Sequence, residues 1–147
     1  SNFGAVSLIL GISIILMVFR KKIEAFLFLL ILVPNGINVG IKEIVGRDRP
    51  EFQSGMIESI GSAFPSGHSV HAAMFFGMIF MLLSWRIRSY PLKLLIRCAL
   101  VLAILVVGIS RVYLGTHWPT DVLGGYIFAA FCMIILNQLY RTLTSDE

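Results

Sequence analysis

Long stretches without a charged side chain set the first limit on what this chain can become. Phe3 to Phe19, Ala25 to Ile41, Ser69 to Trp85 and Val122 to Tyr140 contain no Asp, Glu, Lys or Arg, and a further run ending at Gly108 admits Arg97 near its start. A spanning helix takes roughly 17–25 residues, so these are five candidate spans, the shorter ones drawing on their flanks. A transmembrane barrel would show segments of about ten residues with alternating polarity, whereas these runs carry Leu, Ile, Phe and Met on all sides. Hydrophobic residues make up 57% of the chain, against about 45–50% in a soluble domain. The expected fold is an all-α integral membrane helical bundle.

The net charge of +4 does not form a patch for nucleic acid. Arg20, Lys21, Lys22, Arg86, Arg88, Lys93, Arg97 and Arg141 fall at alternate turns and the C-terminus, where the positive-inside rule puts a cytoplasmic face. The charge is topology, and no nucleic-acid partner is expected. Cys98 and Cys132 lie within apolar runs and read as buried small hydrophobes. No basic segment precedes the first run and no small-residue cleavage site follows it, so it reads as a span and not a signal peptide. With Arg20-Lys21-Lys22 inside, alternation puts Ser1 outside, which leads us to expect a further span upstream of it. Residues 1–147 are expected to form a single membrane-embedded domain lacking that span, with a polar, frayed tail from Arg141 to Glu147.

Alternation also brings three segments to one outer face: Lys42 to Pro50, Pro65 to His71, and Ser110 to Asp121. The Lys and Arg residues of that face, Lys42, Arg47, Arg49 and Arg111, all lie within them, although topology would prefer them elsewhere. In Pro65-Ser66-Gly67-His68, Pro suits a first helical turn and Gly permits close backbone approach, so a helix start there could cradle an anion. The same residues also fit an ordinary capped helix start with a surface His. Lys42 and Arg49 could clamp phosphate oxygens, or could simply anchor a helix end at the interface. His117 and Asp121 are four apart around Pro119, so a helix starting near Pro119 puts Asp121 in its first turn. There the carboxylate could take one imidazole N–H and leave the other nitrogen as a nucleophile, or the pair could merely cap the helix. Arg111, across the preceding loop, faces the same space. Pro34, Asn35, Gly36, Asn38 and Gly40 in the second run favour close packing or hydrogen bonds between helices, and Gly124 and Gly125 favour close packing. Arg47 and Asp48 read as exposed loop charges, and Glu51 and Glu58 as solvated. His71, on the helical face of His68, could line the pocket or pack between helices.

Taken jointly, Lys42-x6-Arg49-Pro50, Pro65-Ser66-Gly67-His68 and Ser110-Arg111-x5-His117-x3-Asp121 resemble the three-part signature of the type 2 phosphatidic acid phosphatase family of membrane lipid phosphatases. They stand in the family's order with no signature residue substituted, and the resemblance runs from the second span to the fifth. It implies hydrolysis of a phosphomonoester or diphosphate on a membrane lipid. His117 would be the nucleophile that becomes a phosphohistidine, Asp121 its orienter and His68 the acid and then the base. Lys42, Arg49 and Arg111, with Ser66 and the backbone N–H of Gly67, would hold the phosphoryl oxygens. No metal or other cofactor is implied. The family usually has six spans, so the five seen here agree with an upstream one. Similarity to bacterial members over Gly115 to Gly125 points to phosphatidylglycerol phosphate or undecaprenyl diphosphate, met from the bilayer on the extracytoplasmic side of a multi-pass cell-membrane protein. Two other readings compete: vanadate-dependent haloperoxidases, which are similar in the phosphate-binding residues but soluble, and a non-catalytic anion carrier or scaffold, which would need neither His117 nor Asp121.

Overall fold

A computed structural model describes residues 2–50 and 61–145; Glu51 and Glu58 lie outside them. The uncharged runs become helices: α1 (Asn2–Val18), α2 (Lys22–Leu30), α3 (Leu32–Val45), α4 (Gly67–Arg86), α5 (Tyr90–Tyr113) and α6 (Pro119–Ser145). Four segments of the described residues are long and apolar enough to cross a membrane, Lys22–Val45, Gly67–Ser84, Tyr90–Tyr113 and Pro119–Ser145, and Val6–Val18 is a shorter apolar helix. The second run is two helices in one span, broken at Ile31. Its cause is Pro34, whose ring displaces the carbonyl four residues earlier, that of Leu30.

Three boundaries differ from expectation. Helix α5 runs on through Ser110 and Arg111 to Tyr113, so Arg111 sits in a helical last turn, where the dipole favours a cation. The tail does not fray at Arg141, since α6 continues to Ser145 and the Thr142 and Thr144 hydroxyls donate to the carbonyls of Gln138 and Tyr140. Helix α4 begins at Gly67 with Ser66 in the extended cap position, which leaves Pro65 outside it. The turn from α1 to α2 is closed by Lys21 N–H to Leu16 C=O and Arg20 N–H to Met17 C=O, with Arg20 left-handed at φ 57°. This is the Schellman arrangement, here without its usual glycine.

Val70, Met74, Met78 and Met81 form one stripe of α4, packed with Leu27, Phe28 and Ile31, Ile9 of α1, and Ala129 and Leu136 of α6. Helix α5 lies outside, with Gly108 its one buried residue and Leu102, Val106 and Ile109 exposed, as suits contact with lipid. Glycines set the helix spacing. A Cβ on Gly124 would strike the Phe64 ring, and one on Gly125 would lie 3.0 Å from the Ser66 carbonyl oxygen, in agreement with the close packing expected there. At Gly108 a Cβ would fall on the Tyr126 hydroxyl, which donates to the Ile104 carbonyl at 2.6 Å. Gly108→Ala is therefore expected to cost about 1–3 kcal/mol through overpacking and to lower the unfolding temperature in detergent. Gly11→Ala, with nothing within 4 Å of its new Cβ, serves as the control, and equal behaviour of the two variants would show that α5 and α6 are not held by this contact.

Candidate active site

Three chain segments converge at one end of the bundle. Helix α3 ends at Gly46, which takes the left-handed conformation at φ 58°, and the chain then passes beside residues 61–63. Ala63 N–H donates to the Arg47 carbonyl at 2.8 Å, and Arg47 N–H to the Ser62 hydroxyl at 3.0 Å. At the end of α5, Gly115 (φ 66°) turns the chain back, and the Thr116 and His117 N–H groups both donate to the Arg111 carbonyl. Helix α6 then starts at Pro119. Ser66 N–H donates to the Asp121 carbonyl at 3.0 Å, tying the start of α4 to the start of α6.

The convergence encloses a cavity of about 960 Å³ whose lining includes Lys42, Arg49, Gly67, His68, Arg111 and His117. Six of the eight residues nominated from sequence thus face one space. The Lys42 ammonium donates to the Ser62 carbonyl at 2.7 Å. Arg49 donates through Nε to Gly61 O at 2.9 Å and through Nη1 to Thr116 O at 2.8 Å. These bonds occupy two of its five N–H groups and fix it beside the residue before His117. Arg111 is steadied by Ser110 Oγ at 3.2 Å. At the head of α4, the helix offers the N–H groups of Gly67, His68 and Ser69 no intrahelical partner.

Two nominated residues stand behind the wall. Ser66 is fully buried and its Oγ accepts from Ser69 Oγ at 3.0 Å, so its hydroxyl is not on the cavity surface as expected; the cap position turns it inward. Asp121 is also fully buried. Its Oδ2 accepts from Trp118 N–H at 2.8 Å, the return half of a capping box, and lies 3.6 Å from His117 Nδ1. That separation is an ion-pair distance and too long for a hydrogen bond, and His117 Nδ1 is a buried nitrogen without a hydrogen-bond partner. Catalytic contacts of this kind are often long before substrate tightens them. The carboxylate therefore caps α6 and faces the imidazole as well.

Arg47 corrects the sequence reading most. It is not a solvated loop charge: Nη1 donates to Asp121 Oδ1 at 2.9 Å and to Thr120 Oγ1 at 2.7 Å, and the guanidinium lies over the Trp118 ring. The contact joins residues 74 apart, so no local pattern announces it. Asp48 remains exposed, though its carbonyl accepts from Trp118 Nε1. His71 lines the cavity with Nδ1 2.8 Å from Gly67 O. Asn35 and Asn38 line it too, and Asn35 bonds back to Ile31 O within its own span, not to another helix.

Electrostatics favour a free imidazole. Burial, reinforced by the cations Arg49 and Lys42, lowers His117 from 6.5 to about 4, with Asp121 and the backbone of Ala63 opposing. Burial also lowers Arg49, against Asp121. His117 is thus neutral at physiological pH, the form that can attack an electrophile. Because its folded value lies below its unfolded one, this residue removes stability as pH falls from about 6.5 to about 4. An imidazole NMR titration is expected to show His117 neutral at pH 6, and Arg49→Gln to move its midpoint upward. A midpoint near 6.5 in the unaltered chain would refute the electrostatic picture. Among the described residues no group of three His, Cys, Asp or Glu side chains is placed to share a metal ion.

The family model of the PAP2 superfamily matches residues 23–145. Phosphatidylglycerophosphatase B of Bacillus subtilis (strain 168) is 37% identical over 133 residues, 86% of this chain and 64% of that protein. Lipid A 1-phosphatase of Rhizobium johnstonii is 33% identical over 122 residues, 77% of this chain and 46% of that protein. The chain thus spans about half to two thirds of the length of these relatives. The crystal structure of a transmembrane PAP2-type phosphatidylglycerolphosphate phosphatase from Bacillus subtilis superposes with a TM-score of 0.76 at 28% identity, over 99% of this chain and 71% of that one.

Proposed function

The chain belongs to the PAP2 superfamily and is a multi-pass membrane protein; from this we propose that it is a lipid phosphatase acting on a phosphomonoester or diphosphate headgroup, with phosphatidylglycerol phosphate as its first substrate. The observation that carries the reading is the convergence of Lys42, Arg49, Arg111, His68 and His117 on one cavity, with a buried carboxylate behind His117. Relatives named for phosphatidylglycerophosphate and lipid A phosphates support a phosphorylated lipid as the substrate class, and undecaprenyl diphosphate offers the same chemistry.

In this reading His117 Nε2 attacks phosphorus, the P–N bond forms as the bond to the lipid oxygen breaks, and His68 donates a proton to that leaving oxygen. His68 then takes a proton from water, whose oxygen displaces His117 and releases inorganic phosphate. Charge on the equatorial oxygens is met by Lys42, Arg49, Arg111 and the first-turn N–H groups of α4. These fixed cations fill the place that metal ions hold in other phosphoryl-transfer sites, so the reaction is metal-independent. The basic turns at the opposite end support an extracytoplasmic site in this reading, where headgroups would arrive by lateral diffusion.

The test is phosphate release by purified protein from phosphatidylglycerol phosphate, phosphatidic acid, a lipid A 1-phosphate and undecaprenyl diphosphate, each with and without a chelator. Release from phosphatidylglycerol phosphate, unchanged by chelation, is expected. No release from any lipid would favour an anion carrier, and loss on chelation would overturn the metal-independent route.

A further inference from the structure

At the end of the bundle opposite the His117 cavity, α4, α5 and α6 leave a second cavity of about 620 Å³, whose lining includes Gly77, Ser84, Lys93, Arg97, Met133 and Asn137. Ser84 lies 17 residues along α4 from Gly67, or about 26 Å at the helical rise, so the two cavities are well separated. We propose that this groove binds the headgroup of an anionic phospholipid from the leaflet on the basic side of the membrane.

Three observations point to such a ligand. Arg97 lies within the apolar helix α5, where a cation is costly and calls for a partner. Its Nε donates to Ser84 Oγ at 3.3 Å and its guanidinium lies over Phe80, which turns the charge into the groove. Neither contact neutralises it, and no carboxylate among the described residues pairs with Arg97 or Lys93. The Lys93 ammonium has no hydrogen-bond or ion-pair partner among them.

The lining is also graded along the membrane normal. Ser84, Lys93, Arg97 and Asn137 make the polar end, while Gly77 lies seven residues back along α4 and Met133 four residues back along α6, about 10 and 6 Å nearer the bilayer centre. A Cβ on Gly77 would already touch Met133, so glycine keeps the apolar floor open. An amphipathic anion, charged at one end and aliphatic at the other, is complementary to this grading, and basic pockets between helices on the cytoplasmic side commonly take such headgroups. Topological anchoring accounts for Arg86 and Arg88 but not for a guanidinium held inside a groove. The inference does not rest on the reaction proposed for His117.

The test uses the full chain in nanodiscs with phosphatidylglycerol or phosphatidylcholine carrying a diazirine in one acyl chain, and maps the cross-links by peptide. Phosphatidylglycerol is expected to label the peptides around Phe80–Met81 and Met133–Ile134, and phosphatidylcholine to label them roughly tenfold less. Lys93→Gln should reduce that labelling several-fold, Lys93→Gln with Arg97→Gln should remove most of it, and Arg97→Lys should retain it. Labelling in the His117 cavity should not change in any of these variants, which shows that they are folded. Equal labelling by the two lipids, labelling indifferent to Lys93→Gln, or full displacement by inorganic phosphate alone would overturn the proposal, the last by making the ligand a free anion.

Discussion

His117→Ala is expected to reduce phosphate release by about 10⁴-fold or more, the scale on which loss of a nucleophile falls, with little change in stability. The side chain is buried and its Nδ1 has no hydrogen-bond partner, so removing the ring releases only its contact with the Ala63 backbone. Three cations would remain around the cavity, and lipid binding should persist. The loss therefore belongs in kcat, with substrate affinity nearly unchanged. Rapid quenching at alkaline pH should trap radiolabelled phosphate on His117 of the unaltered chain and not on the variant. His68→Ala is distinguished by its leaving-group dependence. A loss of about 10²- to 10⁴-fold on a lipid substrate should shrink on p-nitrophenyl phosphate, whose leaving oxygen needs no proton. A His117→Ala protein that kept full activity, or equal losses for His68→Ala on both substrates, would sink the assignment.

The membrane helices were legible because each needs an unbroken apolar run, and charge marked their ends. That same rule misplaced the end of α5. In sequence this run reads as ending at Gly108, ahead of the charge at Arg111, whereas a long cationic side chain is compatible with a last helical turn and the helix continues five residues further, to Tyr113. In sequence Pro34 reads as a packing residue, yet its effect is the break three residues earlier. The site was legible where its geometry is local. His117 and Asp121 are one turn apart in sequence and close in space, and α4 starts at Gly67, inside its own motif. Spacing could not say which atoms reach the cavity, and Ser66, in the middle of its motif, is turned away from it. Arg47 was not legible at all, since its value lies in a carboxylate 74 residues on that only the convergence of the segment after α3 on the start of α6 brings near.

That carboxylate gives the second large effect. Asp121→Asn is expected to lower kcat by about 10²- to 10⁴-fold, as when the orienting acid of a histidine is neutralised. The amide can still accept from Trp118 N–H, so the cap and the helix start survive. The loss should persist as pH is raised, because His117 is already neutral above about 4 and removing Asp121 takes away an influence that raises its pKa. What fails is the orientation of the ring and the stabilisation of charge on it during transfer. Arg47 is then a positioning residue. With Arg47 absent, the fully buried carboxylate keeps only the Trp118 N–H as a donor among the described residues and can swing, and Arg47→Ala should cost about 10- to 100-fold in kcat through misplacement with KM little altered. Arg47→Lys should recover part of this, since one nitrogen, Nη1, makes both contacts in the present structure. If Arg47 works through Asp121, the two losses will not multiply. In the Asp121→Asn background Arg47→Ala should cost less than about threefold, the coupling expected of residues in one network. Losses that multiply in the double variant would mean that Arg47 meets the substrate itself, and a KM effect of Arg47→Ala as large as its kcat effect would say the same.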